Sequence, residues 1–237
     1  MKIPHPSDAG NTMLVLDHGL VRLVDHMGSD LSIVRAARVS YDAAWRAGED
    51  EGSDKRLINY LVRNRHTTPI EAVEFQFEVK APIFVLRQWH RHRTWTYNEL
   101  SARYRELPEE FYIPEPQNVG VQSASNKQMR ILAEDAGVTQ ADIDFITDLQ
   151  RHSEQGFALY RKHLGDGVPR ELARLFLGLN TYSHQFAKID LHNLLHFLNL
   201  RLHSHAQHEI RVYAEAMLEL IRPIVPVCVE AWEAARP

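Results

Sequence analysis

The sequence has 237 residues, 44% of them hydrophobic and 24% charged, with a formal net charge of -4. That length suffices for one large domain with a buried core, and the negative charge excludes a protein whose whole surface binds nucleic acid. Cys228 is the only cysteine, which excludes an intrachain disulfide and a zinc site built on thiolates, and no apolar run reaches membrane-spanning length.

The opening "MKIPHPSDAG" lacks the apolar core of a signal peptide, so a cytoplasmic protein with no membrane partner is expected. In "MLVLDHGLVRLVDH" two short apolar runs flank Asp17-His18-Gly19, a hairpin pattern. "SDLSIVRAARVSY" predicts a short helix with Asp30 as its cap and Ile33, Val34 and Ala37 on one face. A second helix is predicted in "SDKRLINYLVRNRH", ending before the proline of "TTPIEA". The clearest strand is "AVEFQFEVK", where Val73, Phe75, Phe77 and Val79 alternate with Glu74, Gln76, Glu78 and Lys80. "PIFVLRQWH" follows as a helix with Pro82 at its first position.

Residues 115–137, within a stretch rich in Pro, Asn, Ser and Gln, read as a surface loop that could move over a site. "TQADIDFITDLQRHSEQGFALYRKHLGDG" is an amphipathic helix, with Ile143, Ile146, Leu149, Phe157, Tyr160 and Leu164 on one face and a stop at Gly165 or Gly167. "VPRELARLFL" opens another helix and "GLNTYSHQFAKI" is a candidate strand. Two further helices are predicted in "DLHNLLHFLNLR" and "SHAQHEIRVYAEAMLELIRP", capped by Asp190 and Ser204, with Gln207 completing a capping box in the second. Helices and strands mix without a strand-helix rhythm, so the expected class is α+β, one domain over residues 1–237.

Fourteen histidines raise the question of a metal. His192 and His196 lie four apart on a predicted helix, as zinc ligands can, but "HSHAQH" supplies third ligands without a choice among them. A polar stripe opposite Leu191, Leu194, Leu195 and Leu198 explains the spacing equally, and no metal is expected. Cys228 sits in the apolar "IVPVCVEAW", where a lone cysteine packs as a small hydrophobe, and Ser101 has no base fixed beside it. There is no Gly-rich phosphate loop.

The densest polar stretch is "RHRTWTYNELSARY", residues 91–104. Arg91, Arg93 and Arg103 suit bidentate contacts to phosphate, Ser101 adds a hydroxyl, Asn98 offers donor and acceptor, and Glu99 can accept from a ring N–H or a ribose. One carboxylate cannot neutralise three arginines, which favours an anionic ligand over a salt-bridged loop. A single-stranded nucleic-acid module stacking bases on Trp95, Tyr97 and Tyr104 is a rival reading that the net charge weighs against, and a histidine-ligated hydrolase is another.

This stretch resembles the signature of the flavin-dependent thymidylate synthases: Arg-His-Arg, two variable residues, Ser, one variable, Asn-Glu, one variable, Ser, one variable, Arg. Every fixed position matches except Thr96, which replaces serine and keeps the hydroxyl. "DLSIVRAARVSY", "RHTTPIEAVEFQFEVKAPIFVLRQW", "FYIPEP", "VPRELARLFLGLN" and "FLNLRLHSHAQHEI" support it in the family's order, so the resemblance covers most of residues 13–114 and 168–228.

The resemblance implies reductive methylation of dUMP to dTMP, with 5,10-methylenetetrahydrofolate as carbon donor and FAD, reduced by NADPH, as hydride carrier. It implies a small, largely antiparallel sheet packed by helices, and a homotetramer with active sites shared between chains. Gln88, Arg91, Glu99, Ser101, Ala102, Arg103 and Arg174 fall at its nucleotide positions, and Arg201 at the catalytic position that polarises the uracil ring. Ser40, His66, Thr68, Arg91, His92, Arg93 and Glu99 fall at its FAD positions, as do Asp190, His192 and His196, where the family commonly has Asn, Arg and Asn. Without a reactive cysteine, a guanidinium against the ring edge would activate C5 by charge rather than by a covalent bond.

Overall fold

The structure, a computed structural model, describes residues 10–127 and 129–236, apart from the side chain of Glu134. The first nine residues, which include most of the segment read for a signal peptide, lie outside the described residues. The expected hairpin forms from Thr12–Val15 (β1) and Gly19–Met27 (β2), which pair antiparallel with Val15 opposite Gly19. Glycine is required there, because a Cβ would stand 2.2 Å from the Tyr213 hydroxyl and 2.5 Å from the Val15 carbonyl oxygen. Asp30–Arg38 (α1) and Glu51–Arg63 (α2) follow, then Glu74–Pro82 (β3), Ile83–Trp89 (α3) and Thr96–Glu99 (β4).

Beyond them come Val121–Gln122 (β5), Arg130–Ile131 (β6), Ala133–Ala136 (α4), Gln140–Gly165 (α5) and Arg170–Ala173 (α6). The chain ends with Tyr182–Asp190 (β7), Leu191–Arg201 (α7), His208–Ile221 (α8) and Pro226–Ala235 (α9).

Five strands form one sheet in the order β1-β2-β3-β7-β4, with every pairing antiparallel. The α+β class and the small antiparallel sheet are as expected. β3 is central because its alternation sends Phe75, Phe77 and Val79 into the core, where all three are buried. On β7 Tyr182, Ser183, Gln185, Ala187 and Ile189 are buried, while Phe186 and Lys188 face outward. Helices α7 and α8 cover the inner face through Leu194, Phe197, Leu198, Ile210, Tyr213 and Met217. Cross-strand charges occupy the other face, among them Lys188 with Glu74 at 2.8 Å.

Several local expectations are corrected. Ser29, not Asp30, is the N-cap of α1, and Asp30 instead accepts hydrogen bonds from the backbone N–H groups of Val227 (2.9 Å) and Cys228 (3.0 Å) at the start of α9. Pro82 ends β3 and precedes α3 rather than opening it. α8 starts at His208 with Gln207 as N-cap and without a side-chain cap, so Ser204 lies outside the helix. Asp190 does cap α7, accepting from Asn193 N at 2.9 Å.

Only the second half of α5 buries the expected face, around Phe157 and Tyr160, whereas Ile143 and Phe145 are exposed. Residues 115–137 are not a plain loop: β5 and β6 make a small ribbon, and Ser123 and Ala133 are buried.

Candidate functional site

Two tryptophans explain how the opening motif is held. Trp89 ends α3 and Trp95 follows the turn, and their rings meet edge to face at 5.4 Å in a cluster with Phe197. Both are buried, so the turn between them is pinned at each end. The amides of Arg91 and His92 donate to Gln88 O (3.3 Å) and Trp89 O (2.9 Å), and the Tyr97 hydroxyl donates to His92 O (3.3 Å). Arg91 and Arg93 are exposed while His92 between them is buried. The aromatic residues thus serve packing: Trp95 is core and Tyr97 stacks on it, leaving Tyr104 as the one exposed ring of the three offered for base stacking.

His92 turns its ring toward α7. Its Nε2 accepts a hydrogen bond from Arg201 Nε at 2.9 Å, and its ring packs at 4.9 Å from Phe197 and 6.3 Å from His196. Burial, then the Arg201 charge, then His196 push the imidazole down to about 4, so it is neutral at physiological pH. Burial likewise lowers the guanidinium of Arg201, which nevertheless keeps its proton.

Two cavities open beside this pair. One, about 670 Å³, is lined by Gln88 and Arg201 together with Arg130, Arg211, His203, His205 and others. The other, about 660 Å³, is lined by His192, His196 and Thr67 with Arg63, Arg65 and Trp232 among others. Asn199 borders both, and among the described residues neither wall contains a carboxylate. The Oε1 atom of Gln88 is buried without a hydrogen-bond partner. Such walls suit a ligand that brings negative charge and at least one N–H group.

A third cluster lies on the surface. Arg103 Nε stands 3.1 Å from Oε2 of Glu171, Arg174 Nε donates to the Glu171 carbonyl at 3.3 Å, and the Ser101 hydroxyl oxygen accepts from Arg103 N at 3.3 Å. Ala102 between them is buried. None of these residues lines either cavity. Glu99 accepts from the Ser183 hydroxyl, both oxygens of Asp190 are engaged by Asn193, and His66 stands edge-on to Tyr60 at 5.4 Å. Ser40 and Thr68 are exposed.

The structure therefore joins Gln88, His192, His196 and Arg201 around two adjoining cavities, with His92 hydrogen-bonded to Arg201 but lining neither, and Ser101, Arg103 and Arg174 in a separate patch. Sequence reasoning missed Arg130, which reaches the first cavity from the segment read as a loop, and Arg63 and Arg65, whose signal was the basic run "RNRH" at the end of α2. "HSHAQH" faces a cavity, and among the described residues no group of three or more His, Cys, Asp or Glu is arranged to hold a metal. No helix among the described residues is long and apolar enough to cross a membrane.

A family model described as thymidylate synthase complementing protein matches residues 22–227. The flavin-dependent thymidylate synthase of Ehrlichia ruminantium (strain Gardel) is 52% identical over 219 residues, 92% of this chain and 71% of that one. That of Wolbachia pipientis wMel is 50% identical over 218 residues, 92% of this chain and 75% of its own. Among solved structures, the UMP/dUMP methylase PolB from Streptomyces cacaoi bound with 5-Br dUMP superposes with a TM-score of 0.83 at 37% identity, covering 94% of this chain and 98% of that one. With its signature stretch folded around Arg201 and its likeness running almost the whole length, the chain belongs to the flavin-dependent thymidylate synthase family.

Proposed function

We propose that this chain converts dUMP to dTMP by reductive methylation, with 5,10-methylenetetrahydrofolate as carbon donor. The observation that carries the reading is Arg201, a guanidinium anchored by its Nε on His92 in a basic cavity with no carboxylate among the described residues of its wall. Relatives of about 50% identity are thymidylate synthases, whereas the solved neighbour at 37% is a UMP/dUMP methylase, which favours the deoxyribonucleotide.

FAD fits the residues present. A wall rich in arginine and histidine suits a diphosphate; His192 and His196, which line it, would hold FAD together with Ser40, His66, Thr68, Arg91, Arg93 and Glu99, which line neither cavity of the single chain. His92 supports this set from behind and Asp190 orders the helix that carries the two histidines. Once bound there, FAD reduced by NADPH supplies the hydride.

The chain's own groups do the rest. Arg103, Arg174 and Ser101 take the nucleotide phosphate, with Ala102 beside it; Gln88 offers its buried amide oxygen to the uracil N–H; and Arg201 faces the ring edge. For C5 to attack the carbon donor the ring must first become electron-rich, with negative charge along its N3–C4–O4 edge, and a fixed guanidinium stabilises that charge before it is passed to the new C5–carbon bond. No thiolate is needed. Cys228 is buried in α9, and burial followed by the charge of Asp30 pushes its thiol up to about 12.

Arg103 and Arg174 stand apart from the cavity of Arg201, which supports a site completed by another copy in a homotetramer. Large apolar side chains left open on the single chain, such as Trp45 (73%) and Leu175 (75%), support the same assembly. A cytoplasmic location goes with this role, and neither a nucleic-acid nor a membrane partner is required.

The purified protein should carry or take up FAD, be bleached by NADPH without oxygen, and release tritium from dUMP labelled at C5 only when methylenetetrahydrofolate is present. Failure to take up FAD, or no folate-dependent tritium release from a flavin-loaded preparation, would overturn the assignment.

A further inference from the structure

Arg201 has three edges through which a planar guanidinium can act, and one of them is already spoken for. Its Nε–H points to His92 Nε2 at 2.9 Å, so the four remaining N–H bonds are those of the two terminal nitrogens. His92 is itself held through its backbone and its ring. Its amide donates to Trp89 O, its carbonyl accepts from the Tyr97 hydroxyl, and its ring is wedged against Phe197 with His196 beside it. The charged and titratable groups that face it are Arg201 and His196 from α7 and Tyr97 from β4.

Such an acceptor is unusual for an arginine, whose common partner is a carboxylate. A carboxylate at this place would neutralise the guanidinium and draw its fork into a bidentate pair. An imidazole nitrogen with one lone pair does neither. It accepts a single hydrogen bond and leaves the positive charge whole.

We infer that His92 is a positioning residue for the methylation: its unprotonated Nε2 holds the Nε edge of Arg201 so that the two terminal NH2 groups face the cavity as an uncompensated charged fork. The inference rests on the assignment of Arg201 to the uracil ring. It requires the tautomer with its proton on Nδ1, and protonation would replace an acceptor by a cation pressed against a guanidinium. Burial, Arg201 and His196 all oppose that protonation, in keeping with the role.

The test compares His92→Gln, whose side-chain oxygen can occupy the place of Nε2, with His92→Leu, which keeps bulk and loses the acceptor. Folate-dependent tritium release is measured per bound flavin. His92→Leu should lower kcat roughly tenfold or more with KM for dUMP within about twofold, because the lost orientation matters most when charge develops. His92→Gln should recover most of that loss. Equal loss in both variants, no loss in His92→Leu, or a loss that disappears when activity is expressed per flavin would overturn the inference.

Nitrogen-15 spectra of the histidine rings give a second readout that needs no turnover. The His92 resonances, assigned by their disappearance in His92→Gln or their shift in Arg201→Ala, should report a neutral Nδ1–H ring persisting to about pH 5. An ordinary titration near neutrality, or a proton on Nε2, would also overturn it. A wild-type enzyme loaded with flavin but silent in tritium release would instead sink the functional assignment and leave the spectra to judge the hydrogen bond.

Discussion

Arg130 and Glu209 meet at 2.7 Å between the β5–β6 ribbon and the first turn of α8. Glu209 is almost wholly buried and also accepts from the Tyr112 hydroxyl at 3.2 Å. Burial would raise its carboxyl, but the Arg130 guanidinium and the hydrogen bonds around it together bring it below the usual range. Arg130 also lines the cavity of Arg201, so this pair ties the ribbon to the site.

Arg130→Ala should leave a buried carboxylate without its cation. Because the arginine is itself partly exposed, a loss of about 2–3 kcal/mol in unfolding free energy is expected rather than the full cost of a broken interior pair. Adding Glu209→Gln to Arg130→Ala should restore part of that loss in denaturant titrations. Equal stability of the single and double variants would show that the charge is not the cause.

His92 gives the protein an acid limit. The unfolded imidazole binds a proton below about pH 6.5, while the folded one resists until about 4, so protons favour the unfolded chain in that window. Stability contributed by the neutral ring is complete above pH 6.5 and falls as the pH drops toward 4, by at most roughly 3 kcal/mol. His92→Gln should flatten this part of the curve of melting temperature against pH.

Arg103→Ala and Arg174→Ala should each weaken dUMP binding by roughly tenfold to a hundredfold, the effect of losing one charge-assisted phosphate contact at about 1.5–3 kcal/mol. Glu171→Gln should act the other way and tighten binding by about threefold, because its carboxylate competes for Arg103 at 3.1 Å. Titration calorimetry on the FAD-loaded protein separates the three. Unchanged affinity in both arginine variants would remove the phosphate from this patch.

Cys228→Ala should keep methylation and cost about 1–2 kcal/mol of stability as a small buried cavity. Arg201→Lys should lose most tritium release, since an ammonium has no planar fork and no Nε–H for His92. An inactive but flavin-loaded Cys228→Ala beside an active Arg201→Lys would reverse the mechanism.

The sheet was legible wherever side chains alternate, as in Phe75, Phe77 and Val79, because the period of a half-buried strand is written in neighbouring residues. Motif residues could be named because their order is local. What could not be read was direction: "RHR" gives no hint that its histidine turns inward while its arginines turn out, since that depends on Trp89 and Trp95 pinning the turn. Asp30 was read as a local cap because its long-range partners were hidden from any pattern along the chain. Arg130 was lost in a polar stretch for the same reason, its partner Glu209 lying in another helix.

The clasp between Asp30 and the start of α9 sets an order of events for a chain leaving the ribosome. Asp30 is synthesised before Val227 and Cys228, which follow it at separations of 197 and 198 residues. Until the final helix emerges, that carboxylate has only water to satisfy it, and the apolar sides of Ile33 and Val34 wait beside it. Helix α1 therefore cannot complete its packing until α9 has been made. A ribosome stalled before α9, or a deletion that removes α9, would leave a chain with α1 still unfinished.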